Sequence, residues 1–141
     1  MKRTGSAVWK GGLKDGTGTV STESGVLDAV PYSFGRRFGE EKGSNPEELI
    51  GAAHASCFSM ALSAVLGEAG LTADEIATSA AVTVVPQDGG FAITAVHLTV
   101  RAKIPGADEA AFLKAAEGAK ANCPVSKVLN ADINMDAALE G

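Results

Sequence analysis

Cysteine and histidine are both scarce in this chain, which has only two residues of each type among its 141. A zinc site needs about four ligands at characteristic spacings, and neither a CxxC nor an HxxxH pattern occurs. A structural disulfide would also be unusual in a reducing compartment. Two interpretations of the cysteines remain, either two small buried apolar residues or a redox-active pair.

Runs of basic residues are absent as well, and the net charge is -5. This charge argues against nucleic acid or an anionic membrane as a partner. Lys2 and Arg3 stand near the N-terminus, but Trp9, Lys10 and Gly11 follow where a signal peptide needs an apolar core. We therefore expect no secretion or transit signal and a cytoplasmic location.

The remaining composition is that of a globular protein, because 45% of the residues are hydrophobic and no repeat or low-complexity tract occurs. The length predicts a single domain over residues 1–141. The expected order is strands, a long helix, strands, a helix and a strand, which is an α+β fold. The predicted elements are strands over 7–9, 18–22 and 30–38, a helix from 46 to 68 or 69, strands over 80–85 and 91–104, a helix over 108–121 and a strand over 131–139. The buried side of the second helix is expected to consist of Ala111, Phe112, Ala115 and Ala119.

The long helix has clear start and stop signals. Asn45 can cap it, Pro46 suits its first position, and the two glutamates that follow complement the positive end of the helix dipole. Gly70 can end it.

This helix is apolar nearly all round, since residues 49–66 include no charged side chain when histidine is neutral. Such a helix must be buried, and it is short and interrupted by polar residues for a membrane span. A chain of 141 residues struggles to enclose it alone. We therefore expect a second subunit to cover it.

Cys57 lies near the middle of this helix, where burial raises a thiol pKa and a nearby cation is needed to favour the thiolate. The helix has no cation within two turns, so Arg36 and Arg37 are the candidates. Aromatic residues at even positions predict a strand over 30–38, with the two arginines on opposite faces. The pattern leaves open which arginine assists.

Glu47 is a second candidate site residue. It precedes Cys57 by ten positions, which is about 15 Å along a helix and too far for direct contact. It could hold an arginine through a bidentate pair. The alternative is that Glu47, like Glu48, only complements the helix dipole.

Cys123 precedes Pro124, which predicts a short helical turn through Leu129 with Cys123 at its N-cap. Backbone N–H groups lower the pKa of such a thiol and suit it to resolving or leaving-group chemistry, whereas a passive cap is the alternative. His54, one turn before Cys57, could act as a base. A hydrogen-bonded core histidine is the favoured interpretation, because no orienting group or oxyanion hole is visible.

Three stretches of this sequence occur together over essentially its whole length. They are residues 41–62, EKGSNPEELIGAAHASCFSMAL, residues 18–27, GTVSTESGVL, and residues 122–126, NCPVS. Jointly they resemble the osmotically inducible protein C (OsmC) family, although each alone would be a weak signal. An arginine just upstream of the long helix is similar to the osmotically inducible branch. The related organic hydroperoxide resistance proteins carry theirs near the N-terminus.

The resemblance implies an OsmC-like fold in an intertwined homodimer with two active sites at the subunit interface. It implies reduction of organic hydroperoxides, and more weakly of hydrogen peroxide, by a peroxidatic cysteine that matches Cys57 and a resolving cysteine that matches Cys123. The assisting glutamate matches Glu47 and the assisting arginine matches Arg37, with Arg36 beside it. An external dithiol, for which a lipoyl group is one candidate, would reduce the disulfide. No metal, flavin or haem cofactor is implied.

Two other functions remain open from the sequence. One is a non-catalytic ligand-binding or stress-protective protein whose cysteines are structural. The other is a general disulfide oxidoreductase acting on protein thiols, against which the lack of CxxC argues.

Overall fold

The chain divides into two units in the computed structural model, which describes residues 1–140. The N-terminal unit covers residues 1–49, and the C-terminal unit begins at residue 50. The elements in chain order are β1 (Gly5–Lys10), β2 (Thr17–Thr22), β3 (Val30–Tyr32), α1 (Phe34–Phe38), α2 (Pro46–Glu68), β4 (Glu75–Gln87), β5 (Gly90–Lys103), α3 (Glu109–Asn122), α4 (Pro124–Val128) and β6 (Asp132–Glu140). The predicted α+β class is confirmed.

The N-terminal unit contains an antiparallel sheet in the order β1-β2-β3, followed by α1. The predicted strand over 30–38 is wrong beyond Tyr32. The Ser33 hydroxyl accepts a hydrogen bond from the Arg36 N–H at 3.2 Å and caps α1. Phe34 and Phe38 then stack with ring centroids 5.2 Å apart, because a spacing of four residues also places them on one side of a helix. The expected placement of the two arginines on opposite faces of a strand is therefore also wrong.

The predicted start and stop of α2 are both present. The Asn45 side chain accepts from the Glu48 N–H at 2.8 Å, and Pro46 occupies the first helical position. Gly70 has a φ of +76°, which an L side chain adopts only at a cost. The backbone there closes the helix with a Leu71 N–H to Leu66 C=O hydrogen bond of 2.9 Å.

The C-terminal unit has a second sheet in the order β4-β5-β6. β4 and β5 form an antiparallel pair, and β6 returns parallel to β5 after a crossover that contains α3 and α4. Ala111 of α3 is exposed rather than buried, and Ala116 is buried instead. The buried core includes Phe58, Leu62 and Leu66 from α2, Val96, Leu98 and Val100 from β5, and Phe112 from α3.

Helix α2 is buried along one stripe only. Its buried residues in the C-terminal unit recur every three or four positions, at Gly51, His54, Phe58, Leu62 and Leu66. Met60 lies on another side and is 77% exposed. The helix is also long and apolar enough to cross a bilayer by length and composition, a test that core helices of soluble proteins pass as well. The sequence predicts that α2 is buried on all sides, but a single chain buries only this one stripe of the helix.

Gly51 sets how closely α2 approaches the second sheet, which gives a stability prediction with an internal control. A Cβ at Gly51 would meet the Ala80 carbonyl oxygen at 2.8 Å, whereas a Cβ at Gly67 would meet nothing within 4 Å. We expect Gly51→Ala to lower the free energy of unfolding by about 1–3 kcal/mol through overpacking. Gly67→Ala should raise it by about 0.5–1 kcal/mol because alanine favours the helix. Urea unfolding measures both, and a Gly51→Ala protein as stable as wild type would contradict the close approach.

Candidate functional site

The two cysteines meet in the C-terminal unit although they are 66 positions apart in the chain. Cys57 lies on α2 and is partly buried, and Cys123 is fully buried at the start of α4. Both are free thiols. Cys57 packs against the buried core that includes Cys123, and the two thiols are close enough for Cys123 to raise the pKa of Cys57. Disulfide formation requires such proximity.

The environment of Cys57 favours its protonated form. Burial raises the pKa of the Cys57 thiol, and the neighbouring Cys123 raises it further, whereas a hydrogen bond from the Val125 backbone lowers it. None of these groups is a cation, so a reactive thiolate at Cys57 needs a positive charge in addition to them.

Cys123 caps α4, as the position of Pro124 predicted. Its sulfur accepts a hydrogen bond from the Ser126 N–H at 3.3 Å, and its S–H donates to the Ser126 hydroxyl, also at 3.3 Å. The Ser126 hydroxyl is in turn 2.7 Å from Nε2 of His54, on α2. A continuous line of hydrogen bonds therefore runs from Cys123 through Ser126 to His54.

His54 is fully buried, and burial lowers the pKa of its imidazole, so the ring is neutral at neutral pH. The interpretation of His54 as a hydrogen-bonded core histidine is correct for Nε2 only. Nδ1 is buried and has no hydrogen-bond partner among residues 1–140. The sequence carries a signal only for the contact between Ser126 and Cys123, because the third residue after a helix cap faces back toward that cap.

Arg37 and Glu47 form a bidentate ion pair in the N-terminal unit. Nε of Arg37 donates to both carboxylate oxygens, at 3.0 and 3.2 Å, and Nη2 donates to Oε1 at 2.9 Å. The Arg37 side chain is 36% exposed and that of Glu47 is 9% exposed. Arg36 instead donates from Nε to the Lys42 carbonyl at 3.2 Å. The contacts separate the two arginines that the sequence pattern left equivalent.

A cavity of about 240 Å³ lies beside Arg37 in the N-terminal unit. Its lining, mostly aromatic and aliphatic, consists of Trp9, Leu13, Tyr32, Ser33, Phe34, Arg37 and Phe38. The Trp9 and Tyr32 rings stack with centroids 5.4 Å apart. The Arg37 guanidinium lies 5.0 Å from the centre of the Phe38 ring. The cavity thus combines apolar surface with one fixed cation.

Comparison with known proteins gives a consistent result. The sequence model of OsmC-like proteins matches residues 39–138. The chain is 55% identical over 140 residues to Peroxiredoxin OsmC of Escherichia coli, covering 99% of this chain and 98% of that protein. It is 30% identical over 126 residues to an organic hydroperoxide resistance protein of Xanthomonas axonopodis, covering 86% of this chain and 85% of that protein.

Solved structures agree with the sequence comparison. The organic hydroperoxide resistance protein OhrB of Bacillus subtilis superimposes with a TM-score of 0.71 at 25% identity, covering 96% of this chain and 98% of that one. Fold and sequence are therefore similar over nearly the whole length of the chain. We conclude that this chain belongs to the OsmC family.

Proposed function

We propose that this protein is a two-cysteine thiol peroxidase that reduces organic hydroperoxides, and hydrogen peroxide more weakly. The observation that supports this most directly is the proximity of the Cys57 and Cys123 thiols in the core. Two cysteines that only fill a core have no need to lie close together. Membership of a family that includes a peroxiredoxin and organic hydroperoxide resistance proteins supports the same activity.

The chemistry proceeds in two oxidation states of Cys57. Its thiolate attacks one peroxide oxygen, the O–O bond breaks, and an alcohol or water leaves with a proton. Cys57 is then a sulfenic acid. The Cys123 sulfur attacks the Cys57 sulfur, a disulfide forms and water is released. Cys57 is the nucleophile because it is partly exposed, whereas Cys123 is fully buried.

Arg37 supplies the positive charge in this proposal. A guanidinium stays protonated, favours the thiolate and donates hydrogen bonds to the charge that develops on the peroxide. Glu47 accepts hydrogen bonds from Nε and Nη2 of that guanidinium in the observed ion pair, which restricts the direction of the Arg37 side chain. Glu47 is therefore a positioning residue, and Arg36, which binds a backbone carbonyl, is not part of the site.

Organic hydroperoxides are the favoured substrate class because Cys57 lies on an apolar helix and is packed against the hydrophobic core. An alkyl or aryl group beside Cys57 would be removed from water, and apolar area removed from water contributes about 25 cal/mol per Å². Hydrogen peroxide has no such group, which accounts for the weaker reaction proposed for it.

An external dithiol would complete the cycle by thiol–disulfide exchange, releasing Cys57 and Cys123 as thiols and becoming a disulfide itself. A lipoyl group is one candidate. Such a cycle needs a compartment that keeps dithiols reduced, so we propose a cytoplasmic location.

A homodimer is proposed from the uncovered side of α2. One chain buries a single stripe of this apolar helix and leaves Met60 and its neighbours exposed, and contiguous apolar patches of this kind mark interfaces.

We expect light scattering to give twice the mass of one chain. Met60→Glu should shift the protein toward monomer at micromolar concentration, because a carboxylate would be buried unpaired. Wild type that is monomeric throughout would reject the dimer.

We also propose that residues 1–141 act as one domain, because α2 begins in the N-terminal unit and continues into the C-terminal unit. A single cooperative transition in thermal unfolding is expected. Two separate transitions would contradict this.

Thiol titration after one equivalent of cumene hydroperoxide tests the function. A peroxidase loses both thiols rapidly and gains one intramolecular disulfide. A non-catalytic ligand-binding or stress-protective protein with structural cysteines retains two unreacted thiols. A general disulfide oxidoreductase reacts with a protein disulfide but not with the peroxide.

A further inference from the structure

The line of hydrogen bonds that ends at His54 has no part in the two-step chemistry above. We propose that it removes the proton from the resolving thiol, with the Ser126 hydroxyl as the catalytic group that receives the Cys123 proton and His54 as the positioning residue beyond it. This inference rests on the proposed function, since it assigns how the second step of that cycle proceeds.

The direction of the hydrogen bonds supports a proton path. The Cys123 S–H donates to Ser126 Oγ at 3.3 Å. The Ser126 proton then remains available for Nε2 of His54, only 2.7 Å away. These two contacts connect the resolving thiol to the buried imidazole.

His54 can act as the acceptor at the end of the path when Nε2 is the nitrogen without a hydrogen. Burial keeps His54 neutral, and in a neutral ring only one nitrogen carries hydrogen. If that hydrogen is on Nδ1, Nε2 is a free acceptor for the Ser126 proton. Nδ1 is buried without a partner among residues 1–140, which is a costly arrangement for a residue that only fills space. A polar ring kept there at that cost points to a function.

The balanced step follows from these contacts. The Cys123 proton passes to the Ser126 oxygen as the Ser126 hydroxyl proton passes to Nε2 of His54. The Cys123 sulfur forms a bond to the Cys57 sulfur, and the S–O bond of the sulfenic acid breaks. The departing hydroxide takes up one proton from solvent at the partly exposed Cys57 and becomes water, and His54 afterwards gives its extra proton back to solvent. The net reaction is therefore a sulfenic acid plus a thiol giving a disulfide plus water. No further oxidant or reductant enters.

The experiment isolates the resolving step without using a hydroperoxide. Excess 4,4′-dithiodipyridine first forms a mixed disulfide with the accessible Cys57 and releases one thiopyridone. Cys123 then attacks that mixed disulfide and releases a second thiopyridone, and the two phases are followed by absorbance in a stopped-flow instrument. The variants are His54→Gln, which keeps a hydrogen-bond acceptor but cannot take up a proton, and Ser126→Ala, which interrupts the path.

Two further variants separate the path from packing. Ser126→Thr restores the hydroxyl. Ser59→Ala is the matched control, because it removes a hydroxyl of α2 that is hydrogen-bonded at 2.8 Å to Thr78 and lies outside the path.

We expect His54→Gln and Ser126→Ala to slow the second phase by about tenfold or more, a lower value than the usual contribution of a general base. The first phase should stay within about threefold of wild type, and Ser126→Thr and Ser59→Ala should stay within about threefold in both phases. If the second-phase rates of His54→Gln and Ser126→Ala were within about threefold of wild type, the proposal would be overturned. A Ser126→Thr protein as slow as Ser126→Ala would also overturn it, since packing would then explain the loss.

One measurement on the unaltered protein keeps the test independent of how the variants fold. The nitrogen-15 spectrum of reduced wild type should show the His54 hydrogen on Nδ1, and a hydrogen on Nε2 would overturn the proposal. Because the exchange assay contains no peroxide, failure of wild type to consume cumene hydroperoxide would reject the proposed function without deciding the proton path.

Discussion

Cys57→Ser should abolish hydroperoxide reduction, with a loss of about a thousandfold or more in rate, because a serine hydroxyl neither ionises nor forms a sulfenic acid under these conditions. Peroxide remaining after mixing with reduced protein and an excess of dithiol measures this loss. A Cys57→Ser protein that still consumed cumene hydroperoxide at a rate near that of wild type would remove Cys57 from the mechanism.

Cys123→Ser is the matched variant, since it deletes the second sulfur and leaves the first. One equivalent of hydroperoxide should still be consumed, and Cys57 should then be trapped as a sulfenic acid by dimedone. Turnover with a dithiol that acts only on disulfides should be lost. If Cys123→Ser behaved as Cys57→Ser does in the first turnover, the division into attacking and resolving thiols would be wrong.

Arg37→Ala should lower the second-order rate constant of Cys57 oxidation by about a hundredfold to a thousandfold, the usual effect of removing one donor from a developing negative charge. The pKa of Cys57 is already raised, by burial first and then by Cys123, so loss of a cation that favours the thiolate has no compensation among those groups. The Arg37→Lys protein should oxidise little faster than the Arg37→Ala protein, because an ammonium group cannot reproduce the three observed hydrogen bonds to Glu47.

Arg36→Ala is the control for Arg37, since the two residues are adjacent and of the same type. Its Nε donates to the Lys42 carbonyl, so we expect a rate within about threefold of wild type. The rate of Cys57 oxidation in the Glu47→Gln protein should lie between those of the two arginine variants, about tenfold below wild type. The reason is that a neutral amide cannot balance the charge of the guanidinium. Equal rates for the Arg36→Ala and Arg37→Ala proteins would reject the assignment.

Much of the fold could be predicted because its signals are local. The limits of α2 follow from Asn45, Pro46 and Gly70, whose roles depend on neighbouring backbone groups alone. The segment that contains α1 was misassigned because Phe34 and Phe38 satisfy the periods of a strand and of a helix equally. The Ser33 cap decides between them.

The candidate site was less accessible from sequence, since its contacts join distant parts of the chain. The sequence identifies each cysteine as a candidate redox residue. Their proximity in space, however, depends on the crossover between β5 and β6. The contact between His54 and Ser126 spans 72 positions, and no local pattern specifies it. The choice between Arg36 and Arg37 likewise needed side-chain geometry, because neighbouring residues of one type are equivalent in a pattern.

The contact between Cys57 and Cys123 also has a thermodynamic consequence for the oxidised protein. A bond between them would close a loop of 66 positions, which removes conformational entropy from the unfolded chain and raises stability by about 4 kcal/mol in the chain-entropy model. Each encounter with peroxide would therefore leave the molecule more resistant to heat and proteolysis until a reductant opens the loop. Oxidative stress would then raise the stability of the protein molecules that it oxidises.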